Sequence, residues 1–356
     1  MQAICHISLN AIADNYLFFE QRVKTAKVIP VVKANAYGHG AVEVTRHLHE
    51  VCGVSLFAVA TLEEACELAE ALPSVFILIF SRVFANELSK VPENAILSIG
   101  SLEDATSIVA SGLPDIMVHL NINTGMNRLG LTVEEGLDLI ANNTSLDIQG
   151  VYSHFSSSDT LATTAYDNQN QLFSDFVAKL RKLGYTGLIH FANSADAIKS
   201  ETQYDGIRLG IGLYGYDTTS EALTFNTLKP AMEVKAPLIR VDRVRAGTSI
   251  SYGEQWQASV DTNIGTLRIG YADGYIRALT NRGKVHYEGK LYPVVGSVTM
   301  DHIMVDLGDD TPDTGSYFTV LGGLNQSTRI STIASKLNTI TYEVCCTISP
   351  RVKRIY

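Results

Sequence analysis

Residues 27–32 read Lys27-Val28-Ile29-Pro30-Val31-Val32, and the chain then passes directly into Lys33-Ala34-Asn35-Ala36-Tyr37-Gly38-His39-Gly40. The first run is almost uninterruptedly apolar and lacks the alternation of a strand with one wet face. A strand covered on both sides reads this way. Runs of the same texture recur at 55–61 (SLFAVAT), 75–80 (VFILIF), 95–100 (AILSIG), 115–122 (DIMVHLNI), 147–155 (DIQGVYSHF), 187–193 (GLIHFAN) and 205–214 (DGIRLGIGLY). Amphipathic helical segments lie between them, at 41–51, 62–72, 101–111, 133–142 and 162–183. Thr61 ahead of Leu62-Glu63-Glu64, and Ser101 ahead of Glu103-Asp104, have the composition of helix starts. Strand and helix alternating through eight strands predict a parallel (β/α)8 barrel, with an open doubly wound sheet as the second choice.

Beyond about residue 225 the texture changes. Strand-like runs now follow one another at 231–244, 248–252, 262–272, 283–287, 291–298, 303–307 and 316–321, and one helix stands out near 328–338. The chain therefore reads as two domains: a barrel over 1–225, whose first residues are free to pair with the second domain, and a mostly-β domain over 226–356.

Composition narrows the function classes. Charged residues make up 18% and apolar residues 46% of the chain, the balance of a well-buried enzyme rather than a disordered chain. A net charge of −9 with no Lys/Arg block argues against nucleic-acid binding. The longest greasy run, Val75 to Phe80, is too short to cross a bilayer. The five cysteines are odd in number and include no C-x-x-C, so neither a disulfide framework nor a metal site is expected. With no signal peptide legible at the N-terminus, a soluble cytoplasmic protein is expected.

Lys33 falls at the C-terminal mouth of the first barrel strand, where such barrels place their chemistry. Partial desolvation there favours a neutral amine, the form Schiff-base chemistry requires. By position alone, a lysine snorkelling off a strand end is the more common case. His154, alone, reads as a satisfied core histidine or a site residue. Tyr252, in a strand–turn, reads first as packing. Gly210-Ile211-Gly212-Leu213-Tyr214-Gly215 fits G-x-G-x-x-G, yet no opening helix follows; a phosphate site of backbone N–H groups at the late barrel strands is the better reading.

The string VVKANAYGHG resembles the cofactor-attachment motif of the alanine racemase family. The similarity continues, in family order, through Asn123-Thr124-Gly125-Met126-Asn127-Arg128-Leu129-Gly130, Ser153-His154-Phe155, Ala192-Asn193-Ser194-Ala195, Ile207-Arg208-Leu209-Gly210-Ile211, Ser251-Tyr252-Gly253, Gly270-Tyr271-Ala272-Asp273-Gly274 and Met300-Asp301. The resemblance implies a pyridoxal 5'-phosphate enzyme that interconverts L-alanine and D-alanine by two bases and supplies D-alanine for peptidoglycan. It implies that Lys33 holds the cofactor and serves as one base, with Tyr252 as the other. Arg208 would face the pyridine nitrogen, with His154 supporting it. Tyr37, Asn193, Ser194, Gly210 and Ile211 would complete the cofactor site. Arg128 and the backbone at Met300 would hold the substrate carboxylate, and Asp159, Tyr271, Arg277 and Asp301 would line the substrate corridor. The family forms head-to-tail homodimers with shared active sites.

Two positions depart from the family pattern. Many members carry a lysine, carbamylated in some, where this chain has Asn121; a neutral amide cannot supply that anion to Arg128, so another acceptor or a small anion takes its place. Some relatives have tyrosine where Pro350 stands, which leaves open a serine-preferring or broad-specificity racemase. A non-enzymatic, cofactor-binding homeostasis protein is the remaining alternative. Such relatives lack both the β domain and the tyrosine matching Tyr252.

Overall fold

The structure, a computed structural model, describes residues 1–113, 115–142, 145–159, 163–200, 203–217 and 227–356. The chain divides into two compact units, one of residues 12–36 and 41–229, the other of residues 1–11, 37–40 and 230–356. The expected boundary near 225 lies outside the described residues.

The N-terminal strand β1 (Ile4–Ile7) belongs to the second unit. The first unit contains strands β2 (Lys27–Pro30), β3 (Leu56–Val59), β4 (Phe76–Ile79), β5 (Ala95–Ile99), β6 (Met117–Asn121), β7 (Asp147–Tyr152), β8 (Leu188–His190) and β9 (Gly206–Leu209). They form one sheet in the order β2-β9-β8-β7-β6-β5-β4-β3, with every pairing parallel. The two ends meet: Val31 bridges Ala58 in parallel, and the Val32 N–H donates to the Ala58 carbonyl at 2.8 Å. That closure decides for the barrel over the open sheet. Strands buried on both faces explain the unalternating runs, with β9 buried along its whole length.

Helices fall where the amphipathic segments lie, at Ala41–Cys52, Leu62–Ala71, Leu102–Ser111, Val133–Asn142 and Thr164–Lys182. Thr61 and Glu64 form a reciprocal capping box, and Ser101 accepts the Asp104 N–H. The segment expected from 162 starts at Thr164; residue 162 itself is outside the described set. Helix Leu9–Val23 was not among the segments read from the sequence, while Ser194 opens helix Ser194–Lys199, a helix start that the family resemblance implies. The first carries Asn15, whose amide donates to the carbonyls of Leu213 and Lys229 and accepts the Lys229 N–H.

In the second unit β10 (Met232–Val244), β11 (Thr262–Leu267), β12 (Lys284–Tyr287), β13 (Lys290–Val295), β14 (Ile303–Gly308), β15 (Tyr317–Gly322) and β16 (Lys353–Ile355) join β1 in a sheet ordered β11-β14-β13-β12-β15-β10-β1-β16, with β10 also pairing β11. Most pairings are antiparallel, while β1 and β16 run parallel. The strand expected at 248–252 is not one. Ser249 makes a single bridge to Gln257, and Tyr252–Glu254 is a short 3-10 turn. Besides the helix at Ile330–Leu337, a second one occupies Thr341–Cys346.

Candidate active site

Lys33 follows the closing residues of β2, half-buried, and the backbone after it turns the wrong way for L-amino acids. Ala34, Asn35, Ala36 and Tyr37 all have φ near +52°. A left-handed turn of non-glycine residues costs about 1–2 kcal/mol per residue, so neighbouring groups must enforce it. Glu64 does so with a carboxylate oxygen that accepts the Ala34 N–H at 2.6 Å. Its other oxygen accepts the N–H groups of Ala60 and Thr61. Asn35 Oδ1 accepts the Ala41 N–H at 2.8 Å, and Ala36 N–H donates to the Val32 carbonyl. The strain is thus tied to the residue expected to do chemistry.

Arg208, on β9, is 3% exposed. One terminal nitrogen donates to the His190 carbonyl and to His190 Nδ1, both at 3.0 Å. The other reaches the carbonyls of Ser153 (2.6 Å) and Phe191 (3.0 Å) and His154 Nδ1 (3.2 Å). The Tyr152 ring lies 5.1 Å beneath the guanidinium carbon. Every acceptor is neutral. Burial brings the Arg208 guanidinium down to about 10, so it keeps its charge at neutral pH. Burial, with the charges of Arg208, Arg128 and Lys33, holds His154 near 3, so that imidazole is neutral and its Nδ1 accepts. Among the described residues, the Arg208 Nε–H has no protein acceptor, which leaves a charged donor for a neutral ring nitrogen.

Ser194 is buried at the first position of its short helix, after Asn193, whose side-chain oxygen accepts the Ala195 and Asp196 N–H groups. The Ser194 hydroxyl oxygen accepts the Gly210 N–H at 3.0 Å and the Gly212 N–H at 3.2 Å. Ser194, Gly210 and Gly212 therefore form one hydrogen-bonded cradle at the mouths of β8 and β9, with Ile211 between the two glycines. Arg128 is exposed, and no carboxylate pairs with it among the described residues. Asn121 closes β6, and its carbonyl accepts the Leu131 N–H. Asp159 is exposed, on the loop after β7.

In the second unit Tyr252 sits on a strained turn: Ser251 has φ +68° and ψ −172°, a region glycine normally occupies, and Glu254 has φ +50°. Two hydrogen bonds to Ser297 hold the turn. Ser251 Oγ donates to the Ser297 carbonyl at 2.7 Å, and Ser297 Oγ donates to the Tyr252 carbonyl at 2.8 Å. The Tyr252 side chain stands 76% exposed. Tyr271 and Met300, also exposed, lie on loops joined by the Tyr271 N–H to Thr299 carbonyl and Ala272 N–H to Met300 carbonyl bonds. Asp301 pairs with Arg351, which also reaches Asp273. Arg277 is exposed on a 3-10 turn. Tyr37 is buried, 5.8 Å ring to ring from Tyr342. Beside it Gly38 (φ +81°) presses on the Cys345 carbonyl so closely that a Cβ would come within 2.6 Å. Arg354 binds the carbonyls of Gly38, Ile348, Ser349 and Val352, anchoring the loop that carries Pro350.

The family profile described as "Alanine racemase, N-terminal domain" matches residues 7–218, and "Alanine racemase, C-terminal domain" matches residues 231–356. The chain belongs to the alanine racemase family. It is 37% identical over 371 residues to alanine racemase 2 of Bacillus subtilis (strain 168), covering 98% of this chain and 93% of that one. The crystal structure of alanine racemase from E. faecalis superposes with a TM-score of 0.91 at 33% identity, over 99% of this chain and 98% of that one. The Bartonella henselae alanine racemase, solved with covalently bound pyridoxal phosphate, gives 0.89 at 30% identity, over 100% and 99% of the two chains.

Within that family frame, the sequence reading passed over several residues that organise the site. Glu64 was visible only as a helix start, and His119 and His190 only as histidines inside otherwise apolar strands. The carbonyls of Ser153 and Phe191 carry no sequence signal at all.

Proposed function

We propose that this chain is a pyridoxal-phosphate-dependent racemase that interconverts L-alanine and D-alanine. The observation that carries the reading is the buried, charged Arg208, held by neutral acceptors with one donor left over, beside the Ser194–Gly210 cradle. A donor that keeps its proton suits the ring nitrogen, and hydroxyl and backbone N–H groups suit a phosphate. Lys33 would hold the cofactor until a substrate amine takes its place and frees the lysine, and the cofactor would then supply the electron sink that loosens the substrate's α-proton. Tyr37, His154, Asn193, Ser194, Gly210 and Ile211 complete its site. Racemisation needs a proton removed on one face and delivered on the other. The Lys33 amine takes it from D-alanine, and the Tyr252 phenolate from L-alanine.

Arg128 and the Met300 backbone position the substrate carboxylate, and Asp159, Tyr271, Arg277 and Asp301 line its path. With Asn121 neutral, a small anion such as chloride steadies Arg128. The exposed Tyr252, Tyr271 and Met300 on neighbouring loops support a head-to-tail homodimer in which each site takes Lys33 from one protomer and Tyr252 from its partner. No described helix is long and apolar enough to cross a membrane. The same reading makes the chain a cytoplasmic enzyme supplying D-alanine for peptidoglycan.

The test is a racemisation assay over a panel of L-amino acids on wild type, Lys33→Ala and Tyr252→Phe. Alanine should turn over fastest. Lys33→Ala should lose the cofactor's borohydride-trappable bond, and Tyr252→Phe should stop racemisation yet keep solvent exchange of the D-alanine α-proton. Faster turnover of serine would reassign the substrate. An active Lys33→Ala would reject the chemistry.

A further inference from the structure

Arg208 is the last member of a file of side chains that begins deeper in the barrel. His119, on β6, is 2% exposed, and His190, on β8, is fully buried. His119 Nδ1 lies 3.0 Å from His190 Nε2, and His190 Nδ1 lies 3.0 Å from the Arg208 guanidinium. A guanidinium has donors and no acceptor, which sets the direction of each bond. His190 Nδ1 must accept. Its single proton then sits on Nε2 and is donated to His119 Nδ1, so His119 carries its own proton on Nε2. Burial, reinforced by the Arg208 charge, holds His119 at about 3 and His190 well below its ordinary value, so both rings stay neutral and the file stays intact. The Tyr152 ring stacks on His190 at 5.0 Å and 16°, and its hydroxyl donates to Ser98 Oγ at 2.8 Å, which fixes the imidazole plane.

A second feature points to the same place. Gly150 lies within β7, where glycine weakens a strand and no turn requires it. A Cβ added there would come within 2.5 Å of His119 Cε1 and Nε2. The absence of a side chain at 150 makes room for the His119 ring.

We propose that His119 is a positioning residue. Acting through His190, it locks the tautomer that accepts from Arg208, and so holds the guanidinium with its Nε–H turned to the cofactor ring. The link to racemisation rests on the functional reading above, whereas the bond directions do not. The first measurement uses holoenzyme labelled with 15N in histidine and long-range 1H–15N correlation between pH 6 and 8.5, with His119→Asn used for assignment. Both rings should carry the proton on Nε2. A proton on Nδ1 of either ring overturns the proposal, whatever the activity.

The second measurement compares His119→Phe, which keeps a ring without an acceptor, with His119→Asn, whose amide oxygen replaces Nδ1. The Phe variant should lose about tenfold in kcat, the loss of one buried hydrogen bond, with KM for alanine little changed. Its bound-cofactor absorbance should also shift. The Asn variant should recover most of the rate and the wild-type band, and Gly150→Ala should behave like the Phe variant. Equal impairment of Asn and Phe variants that both fold and load cofactor would make the role mere packing and sink the proposal. If the Phe variant does not fold, the tautomer measurement decides. A wild type with the stated tautomers and no racemase activity would instead refute the functional reading.

Discussion

Acidification from pH 7.5 to 5.0 acts on the histidines of the barrel interior before it reaches most carboxylates. His119 and His190 sit in the folded barrel as neutral rings, with burial as the leading cause and Arg208 adding to it. In the unfolded chain both return to an ordinary value near 6.5. Their folded values are depressed, so their contribution to stability is complete above about 6.5 and is lost as pH falls towards the folded values. At pH 5.0 the unfolded chain binds nearly one proton per ring that the native barrel refuses. By linkage that amounts to about 2 kcal/mol for each imidazole, roughly 4 kcal/mol for the pair. His154, held near 3, adds to the same trend. The assay is urea denaturation at fixed protomer concentration across the window, alongside a histidine Cε1–H titration of the native protein. The native shifts of His119 and His190 should stay flat to pH 5 while stability falls. If either ring titrates in the native state above about pH 5.5, or stability is unchanged between the two pH values, the neutral file of imidazoles is wrong.

Ser194→Ala removes the hydroxyl that gathers the Gly210 and Gly212 N–H groups and would donate to the phosphate. Cofactor affinity should fall by about 10- to 100-fold, the usual worth of one hydrogen bond to a charged group, read from a titration of the apoenzyme; unchanged affinity would exclude Ser194 from the site. Lys33→Ala chains mixed with Tyr252→Phe chains should regain roughly half of wild-type activity per mixed dimer, because one of the two sites then receives both intact residues; verified mixed dimers without activity would place both bases in one chain. Removing chloride should weaken alanine binding in wild type, and Asn121→Lys should reduce that dependence; an anion-free density beside Arg128, with no effect of chloride, would refute the anion.

The parallel barrel was legible because its strands are covered on both faces, which leaves apolar runs such as Val75 to Phe80 without alternation. Capping at Thr61 and Ser101 was legible because it is local, requiring only residues three positions apart. The strand expected at 248–252 failed because Ser251 takes positive φ, in a turn held by Ser297 from 46 residues away.

The order of motifs along the chain, from Lys33 through Arg208 to Tyr252, identified the family from the sequence alone, since the chemistry depends on residue types that survive in linear order. Tertiary structure alone decided that the sheet closes at Val31 and Ala58, because closure is a contact between the first and second strands that no local pattern encodes. It alone decided that Glu64 enforces the left-handed turn after Lys33, 30 residues away in sequence. It alone also brought His119, His190 and Arg208 into one file, since three residues on three strands meet only when the barrel curves them onto a common axis.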